Sequence, residues 1–564
     1  VSKVSTSWWR RADPVAAVVL GVAGLILLVF LVYPISRIIL NSFFRVDEPL
    51  RLANLTLEHF GRFASSSLYR KALVRSLTVS LAASLLALCI GLPMAFFVAR
   101  ARIPGKTLIL SLGTLPLVVP PFLGAYSWIL LLGRNGILTN LVKHGLGFQL
   151  PSIYGAPGII LAFTLGYFPY VFLLAYGALS SADPFLEESA QIMGAGRFRI
   201  TRTITLPIVT PAIAAGMVII FMQSLGSFGV PAVLGGEYYV LTTLIYFQIV
   251  GYFDLNAAGA IALVSVGFTA VSLFLLHRLS QRRGYITVTG ATRAARELHG
   301  RGIRIVAMAY CVLVLAVALV PHLMILMTSF AETWGRGALP TAFSLGNYRR
   351  VFANAWGPMQ NSLFLATTAT VAAGVLGTLM AYVAVRKALR SRWILDLTIT
   401  LPFIFPGIAV GVAILSGFSS GPLVLSGTWM ILAVAYLIRR MPYIFRSASA
   451  ALTQIDPAME EASATCGAAW FRTFSRITLP LMLPGILAGA SITFSTLLGE
   501  LSTTIILYSA QWKTMTVAIY EYLLADLLGP ASALGTLLTL AVLASMLLAN
   551  KLLGRTLGSL FRMV

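Results

Sequence analysis

A chain of 564 residues that is 58% hydrophobic and 10% charged, with a mean hydropathy of +0.89, holds more apolar side chain than a water-soluble core can bury. Its formal net charge of +23 arises from 41 Lys and Arg against 18 Asp and Glu, and these are placed as membrane orientation requires rather than as a nucleic-acid footprint. Soluble enzymes and nucleic-acid-binding proteins are excluded as a class, which leaves an all-α polytopic membrane protein.

A helix needs about 20 mainly apolar residues to cross the hydrocarbon layer. In chain order such runs are predicted near 15–41, 72–99, 108–133, 157–181, 206–235 and 257–277, then near 303–329, 362–386, 394–417, 427–444, 480–508 and 530–550. That makes about twelve spans in two sets of six. The alternation over roughly ten residues that marks barrel strands is missing, so helices must satisfy the backbone. The first run is long enough to span and has no convincing cleavage site after it, so a membrane helix is expected there rather than a cleaved leader.

Lys and Arg collect in the even-numbered gaps and at both ends: Lys3, Arg10 and Arg11; Arg100, Arg102 and Lys106; Arg197, Arg199 and Arg202; the run from Arg278 to Arg304; and Lys551, Arg555 and Arg562. The basic side of a membrane protein is the cytoplasmic one. Both termini are therefore expected on the cytoplasmic side. Cys89, Cys311 and Cys466 form no close pair and indicate neither a disulfide framework nor a thiolate metal site; small buried apolar roles are expected for them.

Two polar stretches interrupt this pattern, DPFLEESAQIMGAGRFRITRTITLP at 183–207 and DPAMEEASATCGAAWFRTFSRITLP at 456–480. They match at a constant offset of 273. Farther upstream Gly91, Arg100, Leu115, Pro116 and Pro120 match Gly377, Arg386, Leu401, Pro402 and Pro406 at an offset of 286. The halves are thus parallel repeats, with 13 extra residues in the first, placed around Gly133 to Pro157. The division is 1–280 for the first repeat, 281–301 for a linker and 302–564 for the second.

Within each stretch Asp183 or Asp456 reads as an N-cap, Pro184 or Pro457 as the first helical residue, and Gly194 or Gly467 as the C-terminal stop. Glu187, Glu188, Glu460 and Glu461 fall where the helix dipole favours negative charge. A basic and aromatic segment then leads to Leu-Pro, expected at the entrance of the next span.

The spacing Glu-Ala-Ala, three residues, Gly, nine residues, Ile-x-Leu-Pro resembles the signature loop of the membrane subunits of bacterial type I ABC importers. Here it reads Glu188-Ser189-Ala190, Gly194 and Ile204 to Pro207, and again Glu461-Ala462-Ser463, Gly467 and Ile477 to Pro480. Each copy has one Ala-to-Ser departure. The resemblance covers essentially the whole chain and extends to the fused two-permease layout of ferric-iron importers, similar also to thiamine and 2-aminoethylphosphonate systems.

The resemblance implies that the membrane is a bacterial cytoplasmic (inner) one and that each loop is a coupling helix docking on one of two ATPase subunits, with an extracytoplasmic binding protein as the third partner. The docking residues it implies are Asp183, Glu187, Glu188, Ala190, Gly194, Arg199, Leu206 and Pro207, then Asp456, Glu460, Glu461, Ser463, Gly467, Arg472, Leu479 and Pro480. The four glutamates would face basic or hydrogen-bonding groups of the partner, or cap their own helix. ATP and Mg would belong to the partner; this chain is expected to hold no cofactor, metal or catalytic group. Pro104-Gly105-Lys106-Thr107 ends like a P-loop but has Arg100 where the first glycine should be, and reads as a basic turn.

An ion-coupled carrier is the rival reading, since such carriers also use two parallel halves. Their coupling shows as ionisable residues inside spans, and here His322 and Glu500 stand as the main exceptions, near span ends. Candidates for the pathway or gate are Ser224, Ser227, Glu500, Ser502, Thr503 and Thr504, against the alternative that the hydroxyls bond helix carbonyls. Glu500 is expected to be interfacial or to meet a cationic substrate or a binding protein. Ferric iron is the cargo implied by the overall resemblance; thiamine, a phosphonate or a sugar phosphate are the alternatives.

Overall fold

The computed structural model describes residues 14–45, 51–281, 300–334, 340–387 and 392–552. Most of the linker between the halves and the basic ends at Lys3 to Arg11 and Arg555 to Arg562 lie outside the described residues. Among the described residues the fold is helical, apart from one antiparallel ribbon, Ala331–Trp334 against Pro340–Phe343.

Nine helices among the described residues are long and apolar enough to cross a membrane. In the first half they are Val18–Ser42, Ser67–Arg100, Ala156–Ser181, Phe198–Gly226 and Leu255–Leu276; in the second, Arg301–Phe330, Trp356–Arg386, Trp470–Leu498 and Leu528–Ala549. Helix Trp429–Thr453 takes the fourth place of the second half and carries Arg439, Arg440 and Arg446.

The remaining two expected spans, 108–133 and 394–417, are not continuous. Lys106–Val118 meets the following segment at 95°, and Thr398–Ile404 meets Gly407–Phe418 at 116°. Pro120 and Pro406 stand at the breaks, where a missing N–H and a ring clash end a helix. An arm of 13 residues is about 20 Å long, short of the roughly 30 Å hydrocarbon layer. The bent pair still crosses as a whole. Arg100, at the end of Ser67–Arg100, reaches Glu187, just beyond Ala156–Ser181, so both helices finish on one side and the chain between them must traverse once. Arg386 and Glu460 impose the same on the second half.

The fifth span of each half begins earlier than the Leu-Pro pair, at Phe198 or Trp470. Pro207 and Pro480 lie inside the helix, not at its entrance. A widened π turn, Thr201–Thr205 or Phe474–Thr478, immediately precedes them and accommodates a residue that cannot donate and would crowd the preceding turn. The region around Gly133 to Pro157, where the repeat offsets put the 13 extra residues of the first half, holds the ten-residue helix Ile137–Leu146.

Each half is organised by glycines at close approach. A Cβ on Gly91 would lie 2.9 Å from the Phe168 carbonyl oxygen and 3.0 Å from Phe172 N, and one on Gly377 would lie 3.2 Å from Phe445 N. Gly216 meets Val171 and Gly489 meets Ile444 in the same way. Small residues at such crossings let membrane helices pack backbone to backbone.

The halves also exchange parts. Asn41 in the first span donates to Ser416 Oγ at 2.8 Å, and Phe30 packs on Phe418. Reciprocally, Tyr310 in the first span of the second half donates to the Ile90 carbonyl at 3.0 Å. A Cβ on Gly226 would touch Pro406, and one on Gly499 would touch Pro120. The end of each fifth span thus rests on the proline break of the other half, and the space between these contacts is the site described below.

Candidate functional site: braced loops and a cavity between the halves

Both polar stretches form short helices on the same side, Pro184–Ile192 and Ala458–Thr465. The Asp183 carboxylate accepts from Phe185 N at 2.9 Å, as an N-cap does. In the second loop Asp456 accepts from Ala458 N at 2.9 Å but stands one residue ahead of the cap, a place taken by Pro457, the expected first helical residue. Gly194 and Gly467 have φ of +84° and +79°, where a side chain is strained. The next N–H closes each helix end: Ala195 N donates to Ala190 O and Ala468 N to Ser463 O.

The paired glutamates divide their work. Glu188 and Glu461 are exposed. Glu187 and Glu460, expected to face a partner subunit or cap their own helix, are instead turned inward. Glu187 accepts from Arg100 Nη2 and from Thr205 Oγ1, both at 2.8 Å. Glu460 accepts from Arg386 Nε at 2.9 Å and from Tyr382 Oη at 3.1 Å; Arg386 also donates to the Ile455 carbonyl, and Trp470 Nε1 to Tyr382. These pairs are largely shielded from water, which strengthens charge-assisted bonds. Each loop helix is therefore tied to the second span of its half.

The other loop residues separate into surface and interior. Arg199 and Arg472 are exposed, Ala190 is half-buried, and Ser463 shares a hydrogen bond with Thr473. Leu206, Pro207, Leu479 and Pro480 belong to the fifth span, with Leu479 against an apolar cluster. Phe185, Ile192, Met193 and Phe198 leave most of their surface exposed in the first loop; Phe471 is the counterpart of Phe198 in the second.

Between the halves lies a cavity of about 620 Å³. Its polar lining includes Tyr167, Tyr170, Gln223 and Ser227 from the first half and Arg439, Arg440, Tyr443, Glu500 and Ser502 from the second. Glu500 is 5% exposed and is neither interfacial nor open to a cation, contrary to the sequence expectation. Its Oε1 pairs with Arg439 and accepts from Thr503 N, while its Oε2 accepts from Arg440 Nη2 at 2.6 Å. Thr503 accepts from Arg439 and donates to the Gly407 carbonyl. A Cβ on Gly407 would overlap the Arg439 guanidinium, so any larger residue there would displace the arginine from its present position.

Of the six pathway candidates, Ser227, Glu500 and Ser502 line the cavity. Ser224, Thr503 and Thr504 are buried beside it, with Thr504 bonded to Tyr436 and to the Glu500 carbonyl. Of the cysteines, Cys311 is buried as expected, whereas Cys89 and Cys466 are exposed.

Arg439 and Arg440 are the functional residues the sequence reading missed. They lie inside the predicted span 427–444, and their equivalents at the offset of 273 are Gly166 and Tyr167, in register with Pro169 and Pro442. Two adjacent arginines within a span, against a neutral pair in the other copy, were the available signal. Spans nearly free of charge therefore do not separate this protein from a carrier, and another observation has to.

That observation is the match of residues 87–284 and again 373–558 to the family described as binding-protein-dependent transport system inner membrane component. The chain belongs to this family. The two matches start 286 residues apart, the offset of the internal repeat. The permease is 29% identical over 505 residues to a putative ferric transport system permease protein, FbpB 1, of Haemophilus influenzae, covering 87% of this chain and 78% of that one. It is 30% identical over 203 residues to a putative 2-aminoethylphosphonate transport system permease protein, PhnV, of Salmonella paratyphi A, covering 36% of this chain and 76% of that one. Among solved structures, a bacterial alginate ABC transporter in complex with a pentasaccharide-bound periplasmic protein aligns over 50% of this chain and 97% of its own, at 21% identity and a TM-score of 0.40.

Proposed function

We propose that this ABC importer permease forms the translocation pathway between its two halves and takes its energy from two copies of a cytoplasmic ATPase, one docked on each loop helix. The observation that carries this reading is the pair of loops on one face, each stopped by a glycine and tied by an Arg–Glu bond to a membrane span. A docking element must be rigidly joined to what it moves, and these bonds supply the join. The exposed residues Glu188, Arg199, Glu461 and Arg472 meet the ATPase; ATP and Mg are held there, not in this chain. The loop face is cytoplasmic, as are both termini, because the basic residues gather on it. An extracytoplasmic binding protein delivers the solute to the opposite face.

Ferric iron is the cargo supported by the relative named for ferric transport. A second reading, a phosphonate or other oxyanion, is favoured by the arginine pair in the cavity. Reconstituted with its ATPase and binding protein, the permease should stimulate ATP hydrolysis and import solute in a manner that depends on both loops. A normal uptake rate with the loop helices 184–192 and 458–465 both replaced by glycine-serine segments would refute the docking role. A ligand screen on the cognate binding protein decides the cargo, and selectivity for thiamine, a phosphonate or a sugar phosphate rejects iron without disturbing the permease assignment.

A further inference from the structure

The charge of the cavity points away from a bare cation. Among the described residues its charged lining is Arg439, Arg440 and Glu500, two positive charges against one negative. Both oxygens of the carboxylate are already engaged and the side chain is 4% exposed, so it offers the cavity little. Arg440 retains surplus donors: it spends Nη2 on Glu500, its Nη1 makes one long contact, 3.5 Å, to Tyr443 Oη, and its buried Nε has no acceptor. A guanidinium presents five donors in a fork that suits the paired oxygens of carboxylate, phosphate or phosphonate. Tyr167 and Gln223 add neutral donors from the facing half.

We infer that this cluster is an oxyanion-binding site on the solute path, in which Arg440 and Arg439 receive a phosphonate, phosphate or carboxylate group, while Glu500 offsets part of their charge and competes for their donors. The inference rests on the permease reading and specifies its cargo. The oxyanion has two sources: a free oxyanion solute, or the carboxylate that accompanies a ferric ion as its ligand.

Full-length permease in lipid nanodiscs, titrated with methylphosphonate, citrate, ferric citrate and lanthanum chloride, tests this. Saturable binding of methylphosphonate or of citrate alone assigns the site to a free oxyanion. Binding of ferric citrate but not of citrate assigns it to the anion that escorts the metal. In either case Arg440→Gln should weaken binding at least tenfold, Arg440→Lys should restore part of it, and Glu500→Gln should tighten it by removing the competing carboxylate. A merely structural cluster would lose affinity in Glu500→Gln as well. Binding of lanthanum without any oxyanion, an Arg440→Gln variant with unchanged affinity, or no anion bound overturns the inference. Stimulation of ATP hydrolysis in the complex, measured on the same variants, reports on fold and on the permease reading separately.

Discussion

The two halves agree at the loop end and disagree at the cavity. At the loop end Arg100–Glu187 and Arg386–Glu460 are the same bond made twice. At the cavity the positions of Gly166, Tyr167 and Ser227 in the first half are taken by Arg439, Arg440 and Glu500 in the second, and the neutral Tyr167 and Ser227 face a triad of charges. On the proposed function each loop would meet its own copy of one partner and would have reason to stay the same, whereas a solute between the halves would have no symmetry to respect. Burying three charges costs several kcal/mol of desolvation per ion before pairing offsets it. Such a cluster, found in one half and not at its equivalent positions in the other, would on the proposed function place specificity in the passage and not in the frame.

The largest test removes the shared bond. Glu187→Ala and Glu460→Ala each leave a buried arginine without its counter-charge, which costs about 3 kcal/mol locally and frees the loop helix from its span. Uptake should fall at least tenfold while ATP hydrolysis continues. Glu187→Ala should be the more severe, because Arg386 keeps its bond to the Ile455 carbonyl when Glu460 is removed, whereas Arg100, whose Nη1 already has no partner, loses its bond to Glu187. Equal uptake in the single variants and the parent would break the equivalence of the loops with their brace.

Next comes Gly407, whose counterpart in the first half is Pro121. Gly407→Ala places a methyl on the Arg439 guanidinium, an overpacking that costs about 1–3 kcal/mol. The arginine must turn away, so solute transport should fall with loop coupling intact. If coupling rather than transport were lost, the separation between frame and passage would be wrong. Smaller still is the effect of Gly194→Val and Gly467→Val, each forcing a side chain into positive φ at a cost of roughly 1 kcal/mol. The complex should assemble, and the ratio of ATP hydrolysed to solute imported should rise.

How legible this was in the sequence differs by region, for physical reasons. The repeat, the first loop's cap and the positive-φ glycines follow from local chemistry, and Asp183, Gly194 and Gly467 stand where that chemistry puts them, while Asp456 lies one residue ahead of its helix cap. The equivalence of Arg100 with Arg386 was visible too. Their bonds to Glu187 and Glu460 were not, because a contact across 87 or 74 residues is set by helix packing that no local pattern encodes. The proline breaks were hidden within apolar runs of ordinary length. Arg439 and Arg440 were visible as letters but counted as ordinary members of a span, and only their convergence on Glu500 shows that they act together.

The smallest expected effect asks how the same brace is completed differently in each half. Thr205 Oγ1 donates to Glu187, and its equivalent Thr478 is buried with no partner; Tyr382 donates to Glu460, and its equivalent at the offset of 286 is Phe96. The third member of the network has thus moved from the fifth span to the second. Thr205→Val and Tyr382→Phe each remove one hydrogen bond to a charged acceptor, about 1.5 kcal/mol. Each should lower the melting temperature of the nanodisc-embedded permease slightly and leave uptake within twofold. Tyr382→Phe also deprives Trp470 Nε1 of its acceptor, so its effect should exceed that of Thr205→Val. The reverse order would mean that the second loop draws its rigidity from the apolar packing of Tyr382, Trp470 and Phe474, with the hydroxyl contributing nothing of its own.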